Sequence, residues 1–204
     1  IQAAFQGHQP QGRVPIWEIE FHAWDTASGQ HVILGHEYAL LSTQEQERAL
    51  YDNAEILLSV CEDLHFAALS VPGGYWEVAP GTPAYYWLPG EARFRQIEVL
   101  QEVGIGDLML VGGSGGVMAM PGAQEYVEFA YRLYDAPQEI DQRAAKTLAG
   151  GLKTARRLFD LGVEAVFTAS DIADNHGLFF NPAQIERFIL PYLHEWARQV
   201  RTMN

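Results

Sequence analysis

The sequence predicts an α/β fold in which apolar strands alternate with helices. Short β-rich apolar segments recur along the chain, and a segment with helical periodicity follows each of them. Residues 164–168 form one such strand, which runs into a cluster of polar side chains and then into a helix. The cluster consists of Ser170, Asp171, Asp174, Asn175 and His176. A strand that ends in polar groups just before a helix is typical of the (β/α)8 TIM barrel, whose active sites lie at the carboxyl ends of the strands.

Four strand–helix units are predicted, which would make the chain about the first half of a barrel. Helices between successive strands imply parallel pairing with right-handed crossovers. The predicted strands are residues 14–21, 65–71, 107–111 and 164–168. The predicted helices include one that begins with a capping box at Ser42 and Glu45, and three at residues 91–103, 124–134 and 137–161.

Two connecting segments have a distinct composition. Residues 24–41 show no clear period, so we expect an irregular excursion there. Residues 72–90 form a long loop that is dense in proline, glycine and aromatic side chains. Loops of this length are uncommon and are often lids or binding walls.

The last helix has strong signals at its start. Asn181 suits the N-cap, Pro182 suits the first helical position, and Gln184 completes a capping box. Pro191 lies inside the periodic run that follows, where it lacks a backbone donor. We therefore expect this helix to bend near Pro191.

Composition and charge exclude several classes of function. The net charge of −13 and the 13 scattered Lys and Arg residues argue against nucleic-acid binding and disfavour a polyanionic ligand. The expected partner is a small-molecule substrate. No apolar run approaches the roughly 20 residues of a membrane span. The single cysteine, Cys61, excludes an internal disulfide framework and predicts a cytoplasmic protein. Cys61 lies on a helical face, so we expect it to be buried and inert.

The length predicts a partial domain. A complete (β/α)8 barrel has about 250 residues, whereas this chain has 204. We expect residues 1–204 to form a single partial barrel, a fragment of a longer protein. Four strands would leave two open sheet edges and an apolar inner face. The chain is therefore predicted to pair with a missing C-terminal half, with a second copy or with another chain.

The first strand carries three ionisable side chains at its end. Glu18, Glu20 and His22 alternate along the strand and therefore share one face. Such groups at the barrel mouth can act as general acids or bases, or can hold a metal. The alternative is a solvated strand end whose charges pair with a neighbouring loop. Glu18 and His22 are the catalytic candidates, Glu20 is a substrate-binding candidate, and no metal ligand is assigned within this chain.

Asp171 is the third catalytic candidate. It follows the fourth strand, where its carboxylate would accept a proton or hold a substrate N–H or O–H group. Its neighbours Ser170 and Asn175 are substrate-binding candidates. The alternative for Asp171 is a turn cap, and for Asn175 simply a turn residue before Gly177.

Loops after the second and third strands supply the remaining candidates. Tyr75 and Trp76 could stack on a flat ligand, although aromatic loop residues more often pack to hold a loop in place. The Gly-Gly-Ser-Gly-Gly loop at residues 112–116 matches neither phosphate-binding pattern and lacks the lysine. A tight turn exposing backbone at the barrel mouth is the better interpretation, with Ser114 in reach of substrate.

Two segments resemble a known family. D-I-A-D-N-H-G-L-F-F-N-P at residues 171–182, with F-I-L-P-Y-L at residues 188–193, resembles the signature of the uroporphyrinogen decarboxylase superfamily. A-A-F-Q-G-H-Q-P-Q-G-R-V-P-I at residues 3–16 resembles the opening helix and first-strand entry of that family. The superfamily also includes corrinoid- and thiol-dependent methyltransferases. The resemblance implies a TIM barrel with Asp171 at the acidic position of the signature.

Departures from the family pattern indicate which branch is the better match. Uroporphyrinogen decarboxylases, the cofactor-free lyases of porphyrin biosynthesis, hold their tetrapyrrole with arginines after the first strand and an aspartate after the second. This chain reads E-I-E-F-H-A-W-D after Trp17 and V-P-G-G-Y-W after Ser70. Acidic groups there would repel a polycarboxylate substrate. A methyltransferase acting with a corrinoid or thiol methyl acceptor is therefore favoured.

The resemblance also implies a cofactor for that branch and leaves two alternatives. In the methyltransferases zinc is bound by a His-x-Cys and a further Cys in the second half of the barrel, outside this chain. A corrinoid or a corrinoid protein would be the partner. The alternatives are a tetrapyrrole decarboxylase without a cofactor and a non-catalytic half-barrel that serves as an interaction module.

Overall fold

The computed structural model describes residues 2–9, 12–19, 21, 23–71, 77–79, 82–83, 88–170 and 172–203. Within these ranges only the backbone is described for residues 2, 5, 77–79, 82–83, 123 and 174. The chain has a mixed α/β fold that divides into two compact units. Unit 1 comprises residues 1–112 and 161–165, and unit 2 comprises residues 113–160 and 166–204. The single domain expected from the sequence stays a prediction.

Helices account for most of the regular structure. They are α1 (Gln2–Phe5), α2 (Trp24–Ser28), α3 (Gly35–Leu40), α4 (Thr43–Asp63), α5 (Ala92–Val103), α6 (Ala123–Asp135), α7 (Pro137–Asp160), α8 (Pro182–Phe188) and α9 (Leu190–Val200). The strands are β1 (Ala68–Val71), β2 (Glu77–Ala79), β3 (Thr82–Pro83), β4 (Met109–Gly113), β5 (Ala165–Phe167), β6 (Ala173–Asp174) and β7 (Gly177–Leu178). No helix in the described part of the chain combines the length and apolar character needed to cross a membrane.

A parallel three-stranded sheet has the order β1–β4–β5, which is also the order of these strands along the chain. Its register pairs Ala68 with Met109 and Val71 with Gly112. Helix α5 connects β1 to β4, and helices α6 and α7 connect β4 to β5. The predicted alternation of parallel strands and helices is therefore confirmed for three of the four predicted units.

The first predicted strand is much shorter than expected. Instead of a strand over residues 14–21, the described backbone has one parallel bridge between Ile16 and Phe66. Pro15 has no N–H to donate to a ladder, which limits regular pairing on this segment. The Ile16 carbonyl accepts a hydrogen bond from the Ala67 N–H at 2.8 Å, so the segment still lies beside the start of β1.

The core of unit 1 forms where α4 packs against α5. The capping box predicted at the start of α4 is present, since Ser42 accepts from the Glu45 N–H and Glu45 accepts from the Ser42 N–H. Leu50 is 1% exposed and Cys61 is 2% exposed, as their helical spacing predicts. The Gln96 amide of α5 donates to the Leu50 carbonyl at 2.8 Å, which joins the two helices through a buried polar contact.

Residues 24–41 are more regular than the sequence suggests. They contain α2 and α3, which hold the buried side chains of Trp24 and Tyr38. The loop between the two helices is held by Asn53 of α4, whose side-chain amide bonds the Ile33 N–H and carbonyl, both at 2.8 Å. A single buried amide on α4 therefore substitutes for the strand pairing that this segment lacks.

The core of unit 2 is rich in aromatic side chains. Phe129 of α6 and Phe180 meet edge to face with ring centroids 6.2 Å apart, and Phe188 of α8 is 1% exposed. Full burial of each phenylalanine contributes about 2 kcal/mol. The predicted cap of α8 is confirmed, because Asn181 accepts from the Gln184 N–H at 2.9 Å.

The expected bend of the last helix is a break. Helix α8 ends at Phe188, and α9 begins at Leu190 with Pro191 in its first turn. Ile189 between them has φ −114° and ψ −63°, away from ideal helical geometry. The ring of Pro191 and its missing N–H account for the interruption.

Candidate functional site

Candidate functional residues lie on segments that follow the carboxyl ends of the parallel strands. In unit 1 these are residues 17–19 and the end of β1. In unit 2 they are the glycine-rich loop after β4 and the segment after β5.

Ser70 of β1 positions the segment that carries Glu18. The indole N–H of Trp17 donates to the Ser70 hydroxyl at 3.0 Å, and that hydroxyl donates to the Glu18 carbonyl at 3.3 Å. The Glu18 side chain is exposed at this end of β1. Sequence reasoning missed the role of Ser70, although a hydroxyl within an otherwise apolar strand was the available signal.

Several candidates lie outside the described residues. Glu20 and His22 are among them, so the predicted three-residue group at the end of the first segment is represented by Glu18 alone. Tyr75 and Trp76 in the long aromatic loop also lie outside, as does Asp171. Their predicted roles stay predictions.

The glycine-rich loop after β4 is held by the strand next to it. The Ser114 N–H donates to the Phe167 carbonyl at 3.0 Å, which extends the pairing beyond β4. The Phe167 ring lies against Gly113, where an added Cβ would come within 3.3 Å of the ring. The loop therefore begins as a direct continuation of the sheet.

Ser114 anchors this loop to the last helix. Its hydroxyl is buried, donates to the Gly115 carbonyl at 2.9 Å and accepts from the indole N–H of Trp196 at 3.2 Å. The hydroxyl proton is thus already committed to a backbone acceptor. Ser114 can offer a substrate only its remaining lone pair.

Two glycines allow the loop to lie directly on helices α7 and α9. A Cβ on Gly116 would lie 2.3 Å from Cδ1 of Trp196, and a Cβ on Gly151 would lie 2.4 Å from the Gly116 Cα. Gly116 also has φ +122°, which L side chains rarely adopt. The glycine pattern is explained by close packing, in agreement with the tight-turn interpretation.

Ser170 joins the segment after β5 to the glycine-rich loop. Its hydroxyl donates to the Val117 carbonyl at 2.7 Å. The neighbouring Thr168 has a buried hydroxyl oxygen for which the structure gives no hydrogen-bond partner. Buried hydroxyls are usually satisfied, so Thr168 is an additional polar group at this strand end that sequence reasoning did not single out.

Asn175 lies at the tip of a small hairpin. Strands β6 and β7 pair Asp174 with Gly177, which leaves Asn175 and His176 as a two-residue turn. Gly177 has φ +137°, and the Asn175 side chain is exposed. This geometry accounts for Asn175 as a turn residue, and its predicted contact with substrate stays a prediction.

The thiol of Cys61 is unsuited to nucleophilic or metal chemistry. Cys61 is buried on α4, and burial raises the pKa of its thiol to about 12. The thiolate is the reactive and metal-binding form, so it is almost absent at neutral pH. The expectation that Cys61 is buried is confirmed.

One charge network joins α4 to α5. Arg95 of α5 bonds Glu47 at 2.7 Å, Glu98 at 3.1 Å and Glu102 at 2.5 Å. These hydrogen bonds, that to Glu102 above all, raise the pKa of the Arg95 guanidinium. All three carboxylates are solvent-exposed, so the network is a surface feature of modest energy.

Among the residues that the structure describes, no three His, Cys, Asp or Glu side chains are arranged to hold a metal ion. No family model matches the chain, and no curated protein matches its sequence closely enough to identify a relative.

Proposed function

We propose that the chain forms the first half of a (β/α)8 barrel of the uroporphyrinogen decarboxylase superfamily and belongs to a methyltransferase. The observation that carries the proposal is the order of the parallel segments. Ile16 bridges to Phe66 next to β1, β1 pairs with β4, and β4 pairs with β5. Spatial neighbours are therefore also neighbours along the chain, as a barrel requires, whereas doubly wound sheets reverse their order at a switch point.

The position of the signature supports the same proposal. The segment D-I-A-D-N-H-G begins at Asp171, four residues after β5 ends at Phe167. Barrel enzymes carry their catalytic residues on such segments. The bond from Ser170 to the Val117 carbonyl, at 2.7 Å, holds the residue that precedes the signature against the loop after β4.

In this proposal Asp171, Glu18 and His22 take up and release protons. Glu20, Asn175, Tyr75 and Trp76 contact the substrate, together with Ser114 and Ser170. Both serine hydroxyls already donate to backbone carbonyls, so each would accept a hydrogen bond from substrate.

The described residues do not fit the zinc that the methyltransferase branch uses. They contain no cluster of three potential ligands, and Cys61 is a buried, protonated thiol. In the proposal, as the resemblance implies, the zinc ligands are a His-x-Cys and a further Cys outside this chain. When bound, the metal would favour the thiolate form of the attacking thiol.

Exposed apolar side chains on the first segment support the proposal that further strands pair there. Val14 is 80% exposed, Ile16 is 50% exposed and Ile19 is 44% exposed. This segment makes one described bridge, and its exposed side chains are β-branched. A neighbouring strand would cover them. We propose the second half of the barrel, or a second chain, as this neighbour.

Metal analysis of the full-length protein, combined with an activity assay, tests the proposal. We expect stoichiometric zinc and transfer of a methyl group from a methylcorrinoid to a thiol. The thiol would release its proton to solvent, the carbon–cobalt bond would break with its electron pair remaining on cobalt, and the sulfur–carbon bond would form. Release of carbon dioxide from a tetrapyrrole without zinc would replace the methyltransferase with the decarboxylase. If the protein bound zinc and was active but was shown to have no barrel, the proposed fold would be overturned.

A further inference from the structure

The side chain of His31 is held between two carboxylates. Its Nδ1 lies 2.6 Å from Oδ2 of Asp25, and its Nε2 lies 2.7 Å from Oε2 of Glu37. An ionised carboxylate can only accept hydrogen bonds, so both ring nitrogens must donate. Neutral imidazole has one N–H, and therefore this arrangement requires the protonated ring.

The two carboxylates belong to different helices. Asp25 lies in the first turn of α2, and Glu37 lies in the first turn of α3. The second oxygen of Asp25 accepts from the Val32 N–H at 3.0 Å. His31 thus links Asp25 of α2 to Glu37 of α3, and having both hydrogen bonds at once depends on one proton.

The rest of this segment is held by neutral groups. Asn53 bonds the backbone of Ile33, and the Gln46 amide donates to the Tyr38 carbonyl at 3.2 Å. Trp24 packs edge to face on Phe21, with ring centroids 4.7 Å apart. These contacts keep the segment docked on its unit when the charge on His31 is lost.

We propose that His31 is a pH-dependent latch that ties α2 to α3 when it is protonated and releases them when it is neutral. The latch lies in the chain segment that directly follows Glu18 and Phe21, at the end of the first predicted strand. It does not depend on the proposed methyltransferase function, because it rests on contacts within unit 1.

The direction of the pH dependence follows from the charges around the ring. Hydrogen bonds to Glu37 and then Asp25 raise the pKa of His31 above its ordinary value of 6.5, and partial burial opposes them. From α4, the neutral amides of Asn53 and Gln46 bond the segment. Burial, and then the charge of Glu47, raise the pKa of Tyr38. The latch is therefore fully formed below pH 6.5 and is lost as the pH rises through the raised pKa.

Hydrogen exchange of the full-length protein tests the proposal, with rates corrected for the intrinsic effect of pH. Protection of residues 24–40 should fall several-fold between pH 6 and pH 9, roughly the range in which a histidine of raised pKa loses its proton. Residues of α7 should show no comparable change. His31→Gln should abolish the difference between the two pH values. His36→Gln removes an exposed histidine of α3 that has no hydrogen bond or ion pair among the described residues, and it should behave as the wild type.

An NMR titration of the wild-type protein provides a test that needs no variant. The Val32 amide, which bonds Asp25, should shift together with the His31 ring as the pH rises. Protection that is independent of pH, or a Val32 amide that does not follow the ring, would overturn the latch.

Discussion

Gly151 of α7 lies so close to Gly116 that a methyl group on Gly151 would be 2.4 Å from the Gly116 Cα. At Gly150, the residue before Gly151, a methyl group would meet no neighbouring atom within 4 Å. Two adjacent glycines in one helix therefore have opposite roles. Only Gly151 sets how closely the loop after β4 approaches α7.

Gly151→Ala should destabilise the protein by about 1–3 kcal/mol, because backbone atoms of the loop cannot move aside cheaply. Gly150→Ala is the matched control and should stabilise by about 0.5–1 kcal/mol, since alanine is the better helix former. Urea unfolding of both variants gives the two differences. Equal effects of the two substitutions would contradict the close packing of Gly151 on the loop.

Ser114→Ala should destabilise by about 1–3 kcal/mol, because it leaves the indole N–H of Trp196 buried without an acceptor. Trp196→Phe removes the donor as well as part of the packing. In the double variant the two losses should be less than additive, by about 0.5–1.5 kcal/mol. Strict additivity in a double-mutant cycle would show that the 3.2 Å contact contributes nothing.

Cys61 should be unreactive towards a thiol-specific reagent at pH 8 in the folded protein and should react quickly in concentrated urea. Its folded pKa of about 12 lies above the ordinary value of 9.0 because the thiol is buried. The raised pKa implies stability that is fully present below pH 9.0 and is lost as the pH rises towards 12. Rapid modification without denaturant, measured by mass spectrometry, would place the thiol at the surface.

Asp171→Asn should leave the unfolding midpoint of the full-length protein nearly unchanged and should abolish turnover, because the amide cannot accept a proton. Asp107→Asn is the control for the loss of one negative charge, since Asp107 is exposed in the turn before β4, at the opposite end of that strand. Steady-state assays of the two variants are compared with the wild type. Full activity of Asp171→Asn would remove this residue from the site.

Much of the local structure follows from the sequence because its determinants are close together along the chain. The capping boxes of Ser42 with Glu45 and of Asn181 with Gln184 each span four residues, and both are present. Pro191 interrupts its helix through its own missing N–H. The strands of the parallel sheet were predicted to within a few residues, since apolar β-rich runs bounded by helices have few other solutions.

The candidate site was less predictable because its contacts join distant residues. The hydroxyl of Ser70 within an apolar strand signals a polar role, but the sequence does not show that its partners are Trp17 and the Glu18 backbone. Ser114 was expected to face substrate, yet its hydroxyl bonds Trp196, 82 residues further along the chain. Roles of this kind depend on which backbones the fold brings within hydrogen-bonding distance.

The sequence by itself determined the caps, the helical faces, the alternation of strand and helix, and the burial of Cys61, because each depends on residues within a few turns of one another. Only the tertiary structure decided that Gly151 must lack a side chain, that Ser114 supports Trp196 and that His31 lies between Asp25 and Glu37. Those properties arise from distances of 2.4–3.2 Å between residues of different helices and loops, which the sequence pattern does not encode.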